Sequence, residues 1–240
     1  MYQFGFKTGH SAGLYTNILK QTVNHYTTRG SHVFVCFIYF RKAYDKVNYW
    51  KLFNMLLDDD IPLVLVYLLA YWYNHQEMCV KWNFVISGCF TVTNGTRQGG
   101  VLSHCMFSRY IRGLIHNVAS SHVGCSIGNI PVSILAYADD IVLLSPSWRG
   151  LQYLIDCLSL CTKDIDMLCN ERKTVCMVFS SQILMSFSPM FKLGTSDLQF
   201  VSLFRYLGHI ISNCLCDNDD IQREIKNIFY THQHFDSQIQ

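Results

Sequence analysis

Residues 134–145 read Ile-Leu-Ala-Tyr-Ala-Asp-Asp-Ile-Val-Leu-Leu-Ser, two apolar runs that meet at Asp139-Asp140. Each run has the length of a strand, so the pattern predicts a hairpin with the acids at its tip. Two carboxylates placed where apolar strands meet repel each other and lose hydration, a cost that a divalent cation offsets. Mg²⁺ suits such a place, because it takes oxygen ligands from one or two carboxylates plus substrate phosphates. An Asp-rich turn with no cation is the alternative that these residues alone leave open.

Outward from the hairpin, His32 to Phe40 (HVFVCFIYF) is a continuous β-branched and aromatic run, as expected of a strand covered on both faces. Asn48 is placed to cap a helix carrying Leu52, Met55 and Leu56, and Pro62 to open the next, an uncharged run to Tyr73 that reads as a buried helix. Glu77 to Lys81 and Phe84 to Thr93 read as short strands closing at Asn94-Gly95, with a Gly-rich loop after them. Leu102, Met106, Phe107, Tyr110, Ile111, Leu114, Ile115 and Val118 recur at helical spacing. Short strands around Ser126 and Val132 lead into the acidic hairpin, and Leu151, Leu154, Ile155, Leu158, Ile165 and Leu168 mark a helix after it. Strands at Val175 to Phe179 and near Tyr206 to Ile211 follow, then a helix from about Asp219. This order predicts an α+β fold, a mixed sheet of the split βαβ kind with helices on one side. With no repeat or linker to divide it, the chain reads as a single domain over residues 1–240.

Composition sets the outer limits. The 240 residues are 50% hydrophobic and 15% charged, too apolar for a disordered chain. The longest apolar stretch, Ile61 to Tyr73, falls short of the roughly 20 residues that span a bilayer, so no membrane partner is expected. The first residues lack the pattern of a signal peptide, which predicts an intracellular protein, nuclear or cytoplasmic and not secreted. Eleven irregularly spaced Cys without a CxxC read as reduced thiols with no disulfide partner, and zinc is not expected. Nine basic against five acidic residues in the first hundred give a modest attraction for a polyanion.

Tyr137-Ala138-Asp139-Asp140 resembles the YxDD signature of reverse transcriptases, and other segments resemble that family's motifs in its order. Gln3 to Ser11 is similar to the QxGFRxGxS segment of retrotransposon enzymes, and Phe37 to Val47 (FIYFRKAYDKV) to FxDxxKAFDxV. Thr96 to Ser103 (TRQGGVLS) is similar to RQGxxLSP, Asn170 to Thr174 (NERKT) to NxxKT, and Tyr206-Leu207-Gly208 to the YLG of the primer grip. From about Gln3 to Lys226 the chain resembles the reverse transcriptase domain of a non-LTR (LINE-type) retrotransposon.

The resemblance implies a right-hand polymerase palm with a partial fingers subdomain. Residues 1–30 and 48–95 would be fingers and fingers–palm elements, 31–47 and 96–212 palm, and 213–240 the start of a truncated thumb. It implies an RNA template, a DNA primer, deoxynucleoside triphosphates and two Mg²⁺ ions, and leaves the oligomeric state open. Asp139 and Asp140 would be catalytic metal ligands, Asp139 the bridging one, and Lys173 would assist the leaving pyrophosphate. Tyr44 would be the steric gate against a ribose 2′-OH. Arg97, Gln98 and Gly99 would position nucleotide and template, while Tyr206, Leu207 and Gly208 would support the primer end.

Tyr39 departs from the pattern, standing where the family has its principal metal-binding Asp. A phenol is neutral near pH 7 and offers one weak oxygen in place of two charged ones. Asp45, further along, is expected to cap the following helix. His104 stands where the family usually has Pro, and Arg109, Arg112 and Gly113 fall within a helix that in relatives often reads NLYIDDL. With no endonuclease region before the fingers and no full thumb, the sequence implies a degenerate, inactive fragment. Two other readings remain: a non-catalytic module holding RNA or an RNA:DNA duplex, and another palm-fold enzyme such as a nucleotide cyclase.

Overall fold

The computed structural model describes residues 3, 5, 9, 11–97, 99–180 and 189–236. Helix α1 (Ala12–Thr27) is capped by Ser11, whose hydroxyl accepts from the Leu14 amide. Strand β1 (Val33–Ile38) is buried throughout and leads to a 3-10 turn at Tyr44–Lys46. Asn48 caps α2 (Tyr49–Asp58), its side-chain oxygen accepting from the Trp50 and Lys51 amides. The capping role expected of Asp45 falls to Asn48, because Asp45 lies on the 3-10 turn ahead of the helix start. Helix α3 (Leu63–Asn74) begins directly after Pro62. The expected strand pair is a bent ribbon of four short strands, β2 (Glu77–Met78), β3 (Lys81–Trp82), β4 (Val85–Ile86) and β5 (Phe90–Thr91).

Helix α4 (Ser103–Ala119) runs unbroken. Arg109, Arg112 and Gly113, which depart from the family's pattern, leave it intact, and both arginines bind Asp59 at the end of α2 and tie the two helices together. The hairpin of β6 (Ser126–Ile127) and β7 (Ile130–Pro131) precedes the acidic hairpin, β8 (Ile134–Tyr137) and β9 (Asp140–Ser145). Helix α5 (Trp148–Asp164), capped by Ser147, stops before Ile165 and Leu168. Strand β10 (Val175–Phe179) and three short strands follow, β11 (Lys192–Leu193), β12 (Ser196–Asp197) and β13 (Gln199–Phe200). The expected strand at Tyr206 to Ile211 is instead a hairpin, β14 (Leu203–Tyr206) and β15 (His209–Ser212), because Leu207 and Gly208 both take positive φ, 48° and 85°, and reverse the chain. Helix α6 (Asn218–Asp236) ends the described chain.

The main sheet has the order β13-β10-β1-β9-β8. Strand β1 is antiparallel to β9 and β10, β8 is antiparallel to β9, and β13 runs parallel to β10. Strands β1 and β8 therefore run parallel with β9 between them, and β9 and β10 run parallel with β1 between them: two interlocked split βαβ units.

Alternation along β1 sends Phe34, Cys36 and Ile38 into a core with α2, α4 and α5. The other set, Val33, Val35 and Phe37, packs with Tyr15, Leu19 and Val23 of α1 and with Tyr206 and Ile211 of the terminal hairpin. The expectation of helices on one side is thus corrected. The crossover helices share one face, and α1 with the β14–β15 hairpin covers the other, as a strand apolar at every position requires. Helix α3 is a second correction, because only Val66 and Tyr73 are buried, Tyr73 meeting Tyr49 and Phe53 edge-on. Leu63, Val64, Leu65, Tyr67, Leu68, Tyr71 and Trp72 face outward. Among the described residues no helix is long and apolar enough to cross a membrane.

Asp220 fastens α6 to the terminal hairpin, accepting from the Ile210 amide at 2.8 Å, from His209 Nδ1 at 3.0 Å and from Arg223 at 2.9 Å. Burial opposes ionisation, but these donors outweigh it and hold the carboxyl at about 2, below its ordinary 3.8. A depressed carboxyl stabilises the fold above its unfolded pKa and loses that contribution as pH falls through the folded one. Asp220→Asn is expected to cost about 1.5–3 kcal/mol at neutral pH, and to remove the part of the acid destabilisation that falls between about pH 4 and 2. Denaturant midpoints measured across that window check both.

Candidate active site

The β8–β9 hairpin closes through Ala138 and Asp139, between the paired Tyr137 and Asp140. Ala138 sits at φ 55°, in the region that favours glycine. The N-terminal segment pins this turn. Gln3 bridges Ala136 in parallel, and a Cβ on Gly5 would come within 2.5 Å of the Ala138 amide nitrogen, so only glycine fits there. Both side-chain amide atoms of Gln3 are buried without a partner among the described residues.

The alternation that puts Ile141 and Leu143 in one core turns Asp140 to the face of Val142 and Leu144. One step past the Ile38–Ile141 pair, the register brings the end of β1 beside Asp140. A cleft of about 210 Å³ opens there, lined by Phe37, Ile38, Tyr39, Asp140, Phe204, Arg205, Tyr206 and Leu207. The position held by Tyr39, the second Asp of the hairpin and the Tyr206-Leu207 turn thus meet in one place.

The electrostatics tie in further residues. Burial pushes Asp139 up, and burial together with the Asp139 charge pushes Asp140 to about 6. The Tyr44 hydroxyl is pushed to about 12 by burial and then by the charges of Asp139 and Asp140. Its ring stacks on Phe107 at 4.4 Å. The Tyr206 hydroxyl is also held up, by burial first and then by Tyr15 and Asp140. It shares a 3.0 Å hydrogen bond with Tyr15, whose hydroxyl also contacts the Leu135 carbonyl.

Tyr39 is anchored through its backbone. Its N–H donates to Thr174 Oγ1 at 3.3 Å, and its carbonyl accepts from the Asn170 N–H at 2.6 Å. The same turn carries Lys173, whose ammonium lies 4.7 Å from the centre of the Tyr39 ring, a cation–π contact. The Thr96 N–H donates to the Tyr44 carbonyl at 2.8 Å and the Gly95 N–H to the Val47 carbonyl at 2.9 Å. Gly95, at φ 92°, is required where its Cα passes the Asp45 backbone. Arg97 is held beside Tyr44 by this seam, and its Nε donates to Gln76 Oε1 at 3.1 Å. A cavity of about 520 Å³, bounded by Asp45, Gln76, Phe90, Thr96 and Arg97 among others, adjoins it. Gly99 stands in open space at φ 82°, and Gln98 lies outside the described residues.

Two neighbouring carboxylates that both resist ionisation, one of them, Asp140, lining the cleft, fit one Mg²⁺ that also takes substrate phosphates. Three carboxylates do not converge, because Tyr39 supplies a phenol, and no group of three His, Cys, Asp or Glu able to hold a metal occurs among the described residues.

The split βαβ sheet and the paired acids at its strand ends define a polymerase-like α+β domain. A family profile described as reverse transcriptase (RNA-dependent DNA polymerase) matches residues 1–211. The chain therefore belongs to the reverse transcriptase family, and its curated relatives place it with domains of non-LTR elements. It is 27% identical over 115 residues to the retrovirus-related Pol polyprotein from type-2 retrotransposable element R2DM of Drosophila melanogaster, covering 48% of this chain and 11% of that protein. It is 20% identical over 206 residues to the corresponding polyprotein from type-1 retrotransposable element R2 of Nasonia vitripennis, covering 82% and 20%. The chain thus spans a fifth or less of these relatives. Two telomerase structures from Candida tropicalis share the fold, both at 13% identity: the apo enzyme, with a TM-score of 0.56 over 90% of this chain and 40% of that one, and a complex with a telomeric RNA fragment, with 0.53 over 77% and 32%.

Several contacts at the site carry no signal in the sequence. Tyr15 lies in a segment that no motif marks, yet it bonds Tyr206, 191 residues away. Thr174 and Phe107 support Tyr39 and Tyr44 through contacts that spacing does not reveal.

The turn's geometry gives a paired expectation. Gly5→Ala should destabilise the fold by about 1–3 kcal/mol, since its Cβ would meet backbone, whereas Ala138→Gly should stabilise it by up to about 1 kcal/mol by relieving the positive φ. Chemical denaturation of the two variants beside the parent chain reads both signs.

Proposed function

We propose that this chain is the fingers and palm of an RNA-directed DNA polymerase of the non-LTR retrotransposon type, catalytically impaired because Tyr39 occupies the place of a metal-binding carboxylate. The observation that carries the reading is the meeting of Tyr39, Asp140 and the Tyr206-Leu207 turn in one cleft. In this reading residues 1–30 and 48–95 are fingers elements, 31–47 and 96–212 palm, and 213–240 the start of a thumb.

Members of the family depend on divalent metal, and Asp139 and Asp140 would hold Mg²⁺ here, where it would neutralise charge on the transferring phosphoryl group. Tyr44, wedged on Phe107, would bar a ribose 2′-OH. Arg97, Gln98 and Gly99 would seat nucleotide and template. Lys173 would lie near the leaving phosphates, although its contact with the Tyr39 ring holds part of its charge elsewhere. Tyr206, Leu207 and Gly208 would bear the primer end beside Asp140. The two-residue turn at Leu207-Gly208 supports this reading over a nucleotide cyclase, which has no use for a primer support.

A second reading is favoured by the shortage of carboxylates: a module that holds RNA or an RNA:DNA duplex without catalysis. Primer extension on an RNA template with Mg²⁺ separates the two. Tyr39→Asp is expected to raise extension at least a hundredfold, on the order of the several kcal/mol that one metal-held charge supplies, and Asp139→Asn added to it should abolish the gain. No extension by any variant, with RNA affinity that falls steeply as salt rises, would favour the binding module. Activity in the unaltered chain that survives Asp139→Asn would overturn the site assignment.

A further inference from the structure

We propose that Cys79 and Cys89 are a modification site, a reversible disulfide clasp across the exposed ribbon beside the Arg97 cavity. Glu77 pairs with Thr91 and Met78 with Phe90, so the next antiparallel pair is Cys79 with Cys89. Beyond it Lys81 pairs with Ile86 and Trp82 with Val85, which leaves Gly88 as one extra residue on the returning strand, a bulge. Directly opposed residues of an antiparallel ladder have Cα atoms about 4.5–5.5 Å apart, inside the roughly 4.4–6.8 Å that a disulfide spans. Both thiols are exposed, and the neighbouring Cys79 thiol pushes Cys89 up from its ordinary value.

The other thiols lack this combination. Cys36 and Cys176 also oppose each other, but both are buried between the two cores. Cys214 and Cys216 are exposed but lie on one short turn, where Cys214 is engaged by the Ser212 hydroxyl.

The chemistry needs an oxidant of the disulfide class, and oxidised glutathione serves. The neighbouring Cys79 thiol pushes the Cys89 thiol up, which leaves Cys89 the poorer first nucleophile. The Cys79 thiolate attacks one sulfur of oxidised glutathione, breaking its S–S bond and expelling a glutathione thiolate. Cys89 then releases its proton to water and attacks the Cys79 sulfur, expelling the second. The protein loses two hydrogens, and the oxidant is reduced to two thiols.

All eight residues of the ribbon's four strands are exposed, so little but backbone pairing holds them. Met78 and Phe90, next to the cysteines, line the Arg97 cavity, and Gln76 at the ribbon's base accepts from Arg97. A crosslink at 79–89 therefore stiffens a wall of that cavity. Closing a loop of about eleven residues shifts a local opening equilibrium on the order of a hundredfold.

The test equilibrates the reduced chain with mixtures of reduced and oxidised glutathione, alkylates free thiols, and maps peptides without reductant. A linked peptide pair carrying Cys79 and Cys89 is expected while Cys36 and Cys176 remain free thiols. Amide exchange over residues 80–87 should slow on the order of a hundredfold, recover with dithiothreitol, and stay fast in Cys79→Ser. Separate alkylation of the two thiols at every ratio, a stable glutathione adduct on each, or pairing with Cys105, Cys214 or Cys216 would overturn the proposal. Linkage without slowed exchange would overturn the bracing role.

Discussion

Strand β1 has apolar side chains at every position and buries all of them, so each of its faces must be covered and both of its edges paired. The antiparallel neighbours β9 and β10 meet the edges, the crossover helices α4 and α5 meet one face, and α1 with the terminal hairpin meets the other. The register that satisfies this burial also fixes the cleft. With Ile38 opposite Ile141, the chain delivers Tyr39 and Asp140 to the same end of the sheet. A slip of one residue would turn Asp140 toward the helices and Ile141 toward the cleft, so the burial of β1 and the placing of the carboxylate are one constraint.

That constraint sets the electrostatics of the cleft. Asp139 and Asp140 sit at the ends of apolar strands, and burial raises both. A carboxylate at position 39 would add a third negative charge, and like charges about 4 Å apart cost on the order of 4 kcal/mol at the effective dielectric of a protein surface. Tyr39 adds none. Its ring instead accepts the Lys173 cation, and its backbone bonds to Thr174 and Asn170 hold the end of β1 in place. On the proposed reading, in which position 39 would otherwise carry a metal-binding carboxylate, Tyr39 therefore relaxes the site in the absence of metal.

What was legible in the sequence is what rests on local pattern. The acidic hairpin, the all-apolar strand, the Asn48 cap and the long amphipathic helices follow from periodicity and capping chemistry, and the structure has each of them. The covering of both sheet faces was implicit in the HVFVCFIYF run but was lost in the element order, because α1 precedes the sheet and its partner face depends on contacts far along the chain. Helix α3 misled for a related reason. Apolar composition says that a side chain can be buried, not that a neighbour exists to bury it, and only the Val66–Tyr73 stripe finds one in α2 and its surroundings. Of the cleft's lining, the motifs had already named Tyr39, Asp140, Tyr206 and Leu207. They did not reveal the Tyr15–Tyr206 bond, the Gly5 contact with the turn or the Lys173–Tyr39 contact, which join segments that no local pattern relates.

On the proposed reading, the separation between core and cleft explains how such a fold persists with an impaired site. Most of the residues that fill the two cores lie in strands and on helix faces, while Tyr39, Asp139 and Lys173 sit at strand ends and turns. A change at a strand end alters charge and ligation but leaves the packed interior untouched, so its cost in stability is small. A change inside β1 would disturb both cores at once. Substitution is therefore cheapest at the strand ends around the cleft and dearest inside β1.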